Sequence, residues 1–599
     1  MNSNVSHDVQ QDIRPDGSLL LTSNITLGPT AANTGQWLHH WAETTPARVF
    51  LAERSGAGWR EESYQSILQQ VQKVAQSLLA RGMSANTPLI VLSGNGVDHG
   101  ILALAAQYVG IPVVPLAEQY ALIPEAHDRL VDAIDMVNPT MAYVSDAVQF
   151  ASAIGLEAME GIEVVASVTE GAQRGVTPFT ELLKGDDSVD VASVYATVGP
   201  ETVAKVILTS GSSSKPKGVL TTHGMLCVNQ AQISTVMPVL SARPPVILDW
   251  LPWNHVFGGS HNFNMMLANG GSLYIDDGKP IKKGFGRMLE NLSMAPGTLA
   301  LNVPIGFSLL LEAFRNDNSL KHKFFSDLDL MFYAGASLPA DVWDGLEQMA
   351  TEVRGSVPMM VSSWGMTETA PASIMVHEDM GRAGVIGVPL PDVRVKLLPL
   401  ADERFELRVA GPNVMSGYVN DATKTKESFD DEGFLITGDA VKLRDKNDPN
   451  AGLIFHGRTS EDFKLMSGTW VRAANLRLSL LGILSGLVQD VVITGQDMPD
   501  IGLMIFPLPD ALLGAGEDSV LNAPELATDI ARRLGEAART QGSSMRIARA
   551  VILAEPPSVQ DAEITPKGSL NPRKIITRRA EVFERLYSDD DPAVIRILE

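Results

Sequence analysis

From Tyr64 onward the apolar residues Ile67, Val71, Val74, Leu78 and Leu79 recur at helical spacing, and Gly82 follows them, so an amphipathic helix closed by a glycine is expected there. The pattern then changes. Pro88-Leu89-Ile90-Val91-Leu92 is an unbroken run without polar residues, read as a buried strand. Ile101-Leu102-Ala103-Leu104 returns to a helix, and Ile111-Pro112-Val113-Val114 to a strand. Strand–helix–strand alternation implies a parallel sheet covered by helices. It recurs at 141–144, Val164-Val165, 206–208, 246–248, 273–275 and 330–333. Past Gly384 the apolar positions alternate over short stretches, 393–397 and 406–409, which suggests a small β subdomain. Beyond Gly457 the pattern is mixed and long enough for a further domain. The expected fold class is therefore α/β. A large N-terminal domain of parallel and mixed sheets covered by helices, with a small β subdomain, spans 1–458, and a smaller α+β domain spans 459–599. Roughly the first 17 residues are polar and expected to be disordered.

Composition narrows the functional classes. With 599 residues, 45% apolar and 20% charged, the chain reads as globular with more than one core. No apolar run reaches bilayer length, and the polar start lacks a basic-then-apolar leader, so neither membrane insertion nor secretion is expected. Cys227 is the only cysteine, which excludes an intrachain disulfide and a cysteine zinc site and fits a reducing, cytoplasmic setting. A net charge of −23 with scattered basic residues argues against nucleic acid as a partner. It does not exclude a local phosphate site built from a few placed donors.

Such a site is suggested by TSGSSSKPKGV at 209–219, directly after the apolar run 206–208. Backbone N–H groups, hydroxyls and lysine are what phosphate oxygens require, and the carboxyl edge of a sheet is where α/β proteins bind ligands. The common G-x-x-x-x-G-K-[ST] phosphate loop is absent, because Lys217 precedes Gly218. Taken alone, a serine-rich stretch is more often a plain surface loop. Other features carry no chemistry by themselves. Gly94 and Gly96 read as helix packing, Cys227 as core, 589–591 as a solvated acidic run, and His39, His40 and His99 receive no role.

The sequence 209–219 resembles the signature loop TSG[ST]TGxPKGV of adenylate-forming acyl-CoA synthetases, departing at Ser214, where that superfamily usually has glycine. Further motifs follow in order: SWGMTE at 363–368, GFLITGD at 433–439, GRTSEDFK at 457–464 and a lysine near the C-terminus. The segments GRTSEDFKLMSGTWV, EITPKGSLNPR and LPWNHVFGG look like the feruloyl-CoA synthetase branch. The resemblance implies a ligase that uses ATP, Mg²⁺ and coenzyme A. A carboxylic acid and ATP give an acyl-adenylate and pyrophosphate, and the CoA thiol then displaces AMP. The enzyme would be a monomer or homodimer.

The resemblance also assigns residues. Thr209, Ser210, Gly211, Ser212, Ser213, Ser214 and Lys217 would hold the ATP phosphates. Gly335, Ala336, Ser337 and Trp364 would hold adenine, Gly365 and Met366 would also contact ATP, and Asp439 with Arg458 would hold the ribose. Thr367 would bond the α-phosphate, Glu368 would hold Mg²⁺, and Lys567 would be the catalytic lysine, with Lys574 its rival. His255 would gate the acyl and thiol tunnels, and Val303, Pro304, Tyr333, Gly335 and Ser363 would join it around the acid. Lys464, Gly468, Thr469 and Trp470 would contact CoA after the small, mobile domain turns about a hinge near Ser460 and Glu461. The branch implies a flat aromatic acid such as ferulate, p-coumarate or caffeate. Ala117-Glu118-Gln119-Tyr120 departs from the branch, which leaves another aromatic or a medium-chain acid open. A catalytically silent nucleotide-binding homologue is the alternative from another class. An amino-acid-activating domain is disfavoured, since Trp253-Asn254-His255-Val256 offers no carboxylate for an ammonium group.

Overall fold

The computed structural model describes residues 5–209, 216–281, 284–335, 338–381, 384–512, 518–542, 544–558, 561, 563–564 and 570–597. The chain divides into two compact units: 1–399 with 407–437 and 443–454, and 400–406 with 438–442 and 455–599.

In the first unit, a seven-stranded sheet has the order Lys217–Thr222, Val203–Thr209, Val113–Pro115, Leu89–Val91, Met141–Asp146, Glu163–Val168, Thr177–Pro178. The strands from Val203–Thr209 to Thr177–Pro178 run parallel, and Lys217–Thr222 returns antiparallel. The continuous apolar runs are explained by burial on both faces: Ile90, Leu92, Val114, Ala142, Val144 and Val206 share one core, and Leu89, Val91, Val113, Met141 and Tyr143 are buried on the other face. Tyr64–Ala80 is the amphipathic helix the spacing indicates. Ser63 caps it by accepting from Ser66 N–H, Ile67, Val71, Val74 and Leu78 are buried, and Gly82 follows at φ +75°.

A second sheet orders Val246–Asp249, Ser272–Ile275, Val49–Ser55 and Gly58–Ser63. A third has eleven strands and ends in the parallel trio Met359–Gly365, Leu330–Tyr333 and Leu299–Asn302. The alternating strand Arg394–Pro399 pairs with Leu19–Ser23 in that sheet. Leu19–Ser23 in turn pairs with Val9–Ile13, so the expectation of a disordered N-terminus is corrected from residue 5 onward. The segment is ordered because its few anchors are buried. Val9 packs into the core, and the His7 imidazole lies against Asn450 O at 2.8 Å and the His377 ring at 4.4 Å.

The second unit is built on a four-stranded sheet in the order Val488–Thr494, Ile501–Pro507, Ile547–Ile552, Ile595–Arg596. Its strands alternate faces. Val491, Ile493, Leu503 and Ile505 pack on Leu476, Leu480, Ile530 and Leu534 of the helices Ala473–Ile483 and Pro524–Ala538. Val492, Met504, Phe506 and Val551 pack on Ile575, Val582 and Leu586 of the opposite helices. The acidic run at 589–591 is not a free tail, since Asp591 accepts from Arg585 Nε at 2.8 Å and from Ala593 N at 2.8 Å.

Candidate active site

The serine-rich segment begins where Val203–Thr209 ends, and Lys217–Thr222 returns from it with Thr209 opposite Lys217. It therefore joins the two strands of a hairpin at the carboxyl edge of the sheet, rather than a strand to a helix. Thr209 and Lys217 are half-buried. Ser210, Gly211, Ser212, Ser213 and Ser214 lie outside the described residues, as do Ala336, Ser337 and Lys567.

Lys217 is placed by a second segment, 417–419, laid along the return strand. Val419 N donates to Gly218 O at 2.8 Å, Leu220 N donates to Gly417 O at 3.2 Å, and Tyr418 bridges Val219. The approach is close enough that a Cβ on Gly218 would come within 3.1 Å of Val419 Cγ2 and 2.9 Å of Val206 Cγ1, so the glycine of PKG is required by packing. Tyr418 is then held between two charges. Lys217 Nζ sits 5.5 Å from its ring centroid, and its hydroxyl donates to Glu368 Oε1 at 2.8 Å. Partial burial and the nearby Lys424 hold the Lys217 ammonium below its usual pKa. Burial, then the Glu368 carboxylate, push the Tyr418 phenol well up, so it stays a hydrogen-bond donor.

Glu368 is buried in the one-turn helix Thr367–Thr369, which follows the strand Met359–Gly365. The turn is fixed from beneath. Asn413 Nδ2 donates to Thr369 O at 2.8 Å and Ala372 O at 3.1 Å, and Asn229 Nδ2 donates to Ala372 O at 2.6 Å. Gly365 is demanded by close approach, since a Cβ there would lie 1.9 Å from Pro371 O. Thr367 is buried beside Glu368, and Met366 N donates to Thr369 Oγ1 at 2.9 Å. A buried carboxylate beside a threonine hydroxyl is a hard-oxygen donor set, which fits Mg²⁺. Among the described residues no group of three or more His, Cys, Asp or Glu could hold a metal ion by itself, so substrate phosphates would have to complete such a site.

Tyr418, Asn413 and Asn229 were missed by sequence reasoning. A signal was available for Asn229 alone, as one of the polar residues inside an apolar helix: Asn229, Gln230 and Gln232 are all buried in His223–Val236. Tyr418→Phe removes one hydrogen bond to a charged group, worth about 1.5–3 kcal/mol. It is expected to slow acid-dependent ATP–pyrophosphate exchange on the order of 10- to 100-fold and to raise the Mg²⁺ concentration needed for half-maximal rate. A Mg²⁺ titration of the variant that superimposes on wild type would remove this role from Tyr418.

The residues expected around the acid gather at the carboxyl ends of the parallel trio. Asn302, Tyr333 and Ser362 are neighbours in register, so Val303, Pro304 and Gly335 leave the sheet beside Ser363, which stays in its strand opposite Met375. Gly335 takes φ +86°, a left-handed turn that releases the chain from the strand. Trp364, expected at adenine, is 7% exposed and pairs with Ile374 across the strand.

His255 comes from the second sheet, after Val246–Asp249, and its segment is joined to the trio. Trp250 Nε1 donates to Asn302 Oδ1 at 3.1 Å, while Phe257 and His261 lie 5.6 and 4.8 Å from the Phe332 ring. His255 Nδ1 accepts from Phe257 N at 3.2 Å, which sets the ring's tautomer with the proton on the other nitrogen. Asp249, at the foot of the segment, is pushed up to about 7 by burial, although it accepts from Asn262 Nδ2 at 2.9 Å and Leu251 N at 3.0 Å.

The remaining residues belong to the second unit. Arg458 Nε lies 3.3 Å from Asp439 Oδ1, with Asp439 buried and Arg458 exposed. Thr459 Oγ1 donates to Gly438 O at 3.0 Å, which ties the GRTSE segment to the Thr-Gly-Asp turn. Glu461, beside the expected hinge, is raised by burial, while the Arg458 guanidinium opposes the rise. Lys464 and Trp470 face each other in a short hairpin, and Gly468 turns it at φ +81° with Thr469 next. Trp470 is 45% exposed, with Lys464 Nζ 4.9 Å and Arg472 Cζ 5.1 Å from its ring centroid. That pairing of an exposed flat ring with cations suits an anionic, ring-bearing ligand. The segment before Lys567 is anchored by Arg579, which donates to both oxygens of the buried Glu563 at 2.8 Å, and Ile564 bridges Leu570.

Among the described residues no helix is long and apolar enough to cross a membrane. A sequence profile of the AMP-binding enzyme family matches residues 38–419, and one of the AMP-binding enzyme C-terminal domain matches 465–591. The chain is 25% identical over 462 residues to a luciferin 4-monooxygenase of Nipponoluciola cruciata, covering 69% of this chain and 76% of that protein. It is 26% identical over 529 residues to the probable CoA ligase CCL8 of Humulus lupulus, covering 80% and 82%. Among solved structures, the anthranilate CoA ligase AuaEII in complex with anthranoyl-AMP shares the fold, with TM-score 0.73, 17% identity and coverage of 93% and 99%.

Proposed function

Because the chain belongs to the AMP-binding enzyme family, we propose that it is an AMP-forming carboxylic acid–CoA ligase acting on a flat aromatic acid of the hydroxycinnamate type. The observation that carries the reading is the Lys217–Tyr418–Glu368 constellation. It sets a cation for phosphate and a buried carboxylate for a divalent ion on one rigid piece of the fold.

The acid's carboxylate attacks the α-phosphorus of ATP and pyrophosphate leaves. Charge rises on the α-phosphoryl oxygens and on the leaving group, and both must be neutralised. Lys217 and the hydroxyls at 209–214 take the pyrophosphate side, Thr367 bonds the α-phosphate, and Lys567 meets the carboxylate. Glu368 and the phosphates would hold Mg²⁺, which would supply Lewis-acid neutralisation of the phosphate charge. Asp439 accepts from the ribose hydroxyls with Arg458 beside it. In the second step the CoA thiol, as its thiolate, attacks the acyl carbon and AMP leaves. Lys464, Gly468, Thr469 and Trp470 guide the CoA arm, and His255 stands at the entrance to the carbonyl. The choice of an aromatic over a medium-chain aliphatic acid follows the resemblance of 457–471 and 563–573 to the feruloyl-CoA synthetase branch; Phe257, His261 and Phe332 pack on one another in the core behind that edge.

A panel of carboxylic acids assayed for AMP release with and without CoA tests the reading. Hydroxycinnamates are expected to give AMP and an acyl-CoA, with turnover requiring CoA. Intact ATP binding without acid-dependent pyrophosphate exchange for any acid would identify a silent nucleotide-binding homologue instead.

A further inference from the structure

Lys205 lies inside the strand Val203–Thr209, opposite Val113 on one side and Thr221 on the other, and is 6% exposed. Among the described residues no carboxylate forms an ion pair with it. Burying an unpaired ammonium costs several kcal/mol, and a methionine would fill the same space without that penalty. Its partner is a carbonyl: Lys205 Nζ donates to Gly259 O. The Phe263 ring lies 5.7 Å from the same nitrogen.

That carbonyl belongs to an unusual turn. Residues Phe257–Asn262 form a π-helical turn, in which Phe263 N donates to Gly258 O, five residues back. The turn starts just after His255, whose carbonyl accepts from Gly259 N at 2.8 Å. Side chains serve its successive carbonyls. Lys205 takes Gly259 O, and Gln230 Nε2 reaches Ser260 O at 3.5 Å and His261 O at 3.3 Å. The turn is also pressed onto the preceding loop, since a Cβ on Gly259 would lie 2.0 Å from Trp253 O.

We propose that Lys205 is a positioning residue for the acid: by holding the Gly259 carbonyl it fixes the π turn, and with it the placement of His255 and Phe257 at the acyl edge. The inference rests on the ligase reading for its kinetic consequence, but not for its structural one. Lys205 sits four residues before Thr209, on the strand that leads into the phosphate loop, so one buried ammonium ties the ATP side of the site to the acid side. The bond is charge-assisted, and charge makes it stronger than a neutral amine's. Burial lowers the Lys205 ammonium to about 8, so the ammonium is present below that pH and lost above it. The other titratable groups against this region are His99, His223 and His261, each lowered by burial to about 4, and Asp249 at about 7. The histidines stay neutral from pH 6.5 upward, and Asp249 changes on the acid side, so of the groups against this region Lys205 is the one that changes near pH 8; the other lowered ammonium, Lys217, lies on the phosphate side and is kept in the Lys205 variant.

The test is Lys205→Met in the full chain, read in two ways. Hydrogen–deuterium exchange of amides in 255–264 is expected to speed up at least tenfold, with Val246–Asp249 unchanged. In acid-dependent ATP–pyrophosphate exchange, KM for the acid is expected to rise at least tenfold with KM for ATP within twofold. Wild-type KM for the acid should climb above pH 8, and that limb should vanish in the variant. Unchanged amide protection in folded Lys205→Met overturns the proposal whatever the activity, and so does an equal rise in both KM values. A wild-type protein with no acid-dependent reaction would refute the ligase reading alone, with amide exchange still deciding the role of Lys205. Should Lys205→Met fail to fold, Lys205→Gln, which keeps a shorter donor, is read by the same exchange measurement, with partial loss of protection expected and full protection counting against the clamp.

Discussion

Glu368→Gln is expected to lower acid-dependent ATP–pyrophosphate exchange about 10²- to 10³-fold while leaving thermal unfolding close to wild type. The magnitude is that of removing one preorganised electrostatic stabiliser, about 3–4 kcal/mol. The substitution separates chemistry from folding because glutamine keeps an Oε1 acceptor for the Tyr418 hydroxyl, now at 2.8 Å. What disappears is the negative charge that would hold the divalent ion, so Glu368→Asp, with the charge kept but withdrawn, should fall between the two. Less than a tenfold loss in Glu368→Gln at saturating ATP and Mg²⁺ would remove the carboxylate from the metal's coordination.

Lys567→Ala is expected to abolish adenylation nearly completely, on the order of a thousand-fold or more, because in the role proposed for it the lysine supplies a cation where two anions must meet. Thioester formation from supplied acyl-adenylate should survive, since that step needs the lysine out of the way of the thiol. The two half-reactions are measured separately, by pyrophosphate exchange and by acyl-CoA formation from the adenylate. Similar losses in both would show that Lys567 supports the fold or the CoA path rather than the first step. A folding defect is not expected from this change, because the buried Glu563–Arg579 pair that anchors the preceding segment is untouched.

Much of this was legible in the chain. The apolar runs at 88–92 and 141–144 announced strands of a covered parallel sheet, and the period from Tyr64 to Arg81 announced a helix, because those patterns record burial directly. Three things were not legible. Polar residues at the start of the chain suggested disorder, yet Val9–Ile13 is a strand. Pairing with Leu19–Ser23 satisfies its backbone, and only Val9 and His7 needed burial to hold it. Tyr418 looked like one aromatic among many; its role depends on segment 417–419 lying along residues 217–220, a long-range pairing that no local pattern encodes. Lys205 was hidden inside an apolar strand, and nothing near it in sequence points to Gly259. The motif residues Lys217, Glu368 and Asp439 stand out in the sequence because the chemistry proposed for them needs fixed residue types; the residues that brace them do not, because many residue types can brace a turn.

The pairing of Thr209 with Lys217 has a consequence for how the chain can vary. Side chains alternate across a strand, so deleting one residue between Lys217 and Thr222 would turn the lysine toward the opposite face and unzip it from Gly417 and Val419. Residues added between 210 and 215 would leave that alternation untouched. Change here should therefore be punished in the parity of the strand that follows, independently of any demand that phosphate binding puts on 210–215.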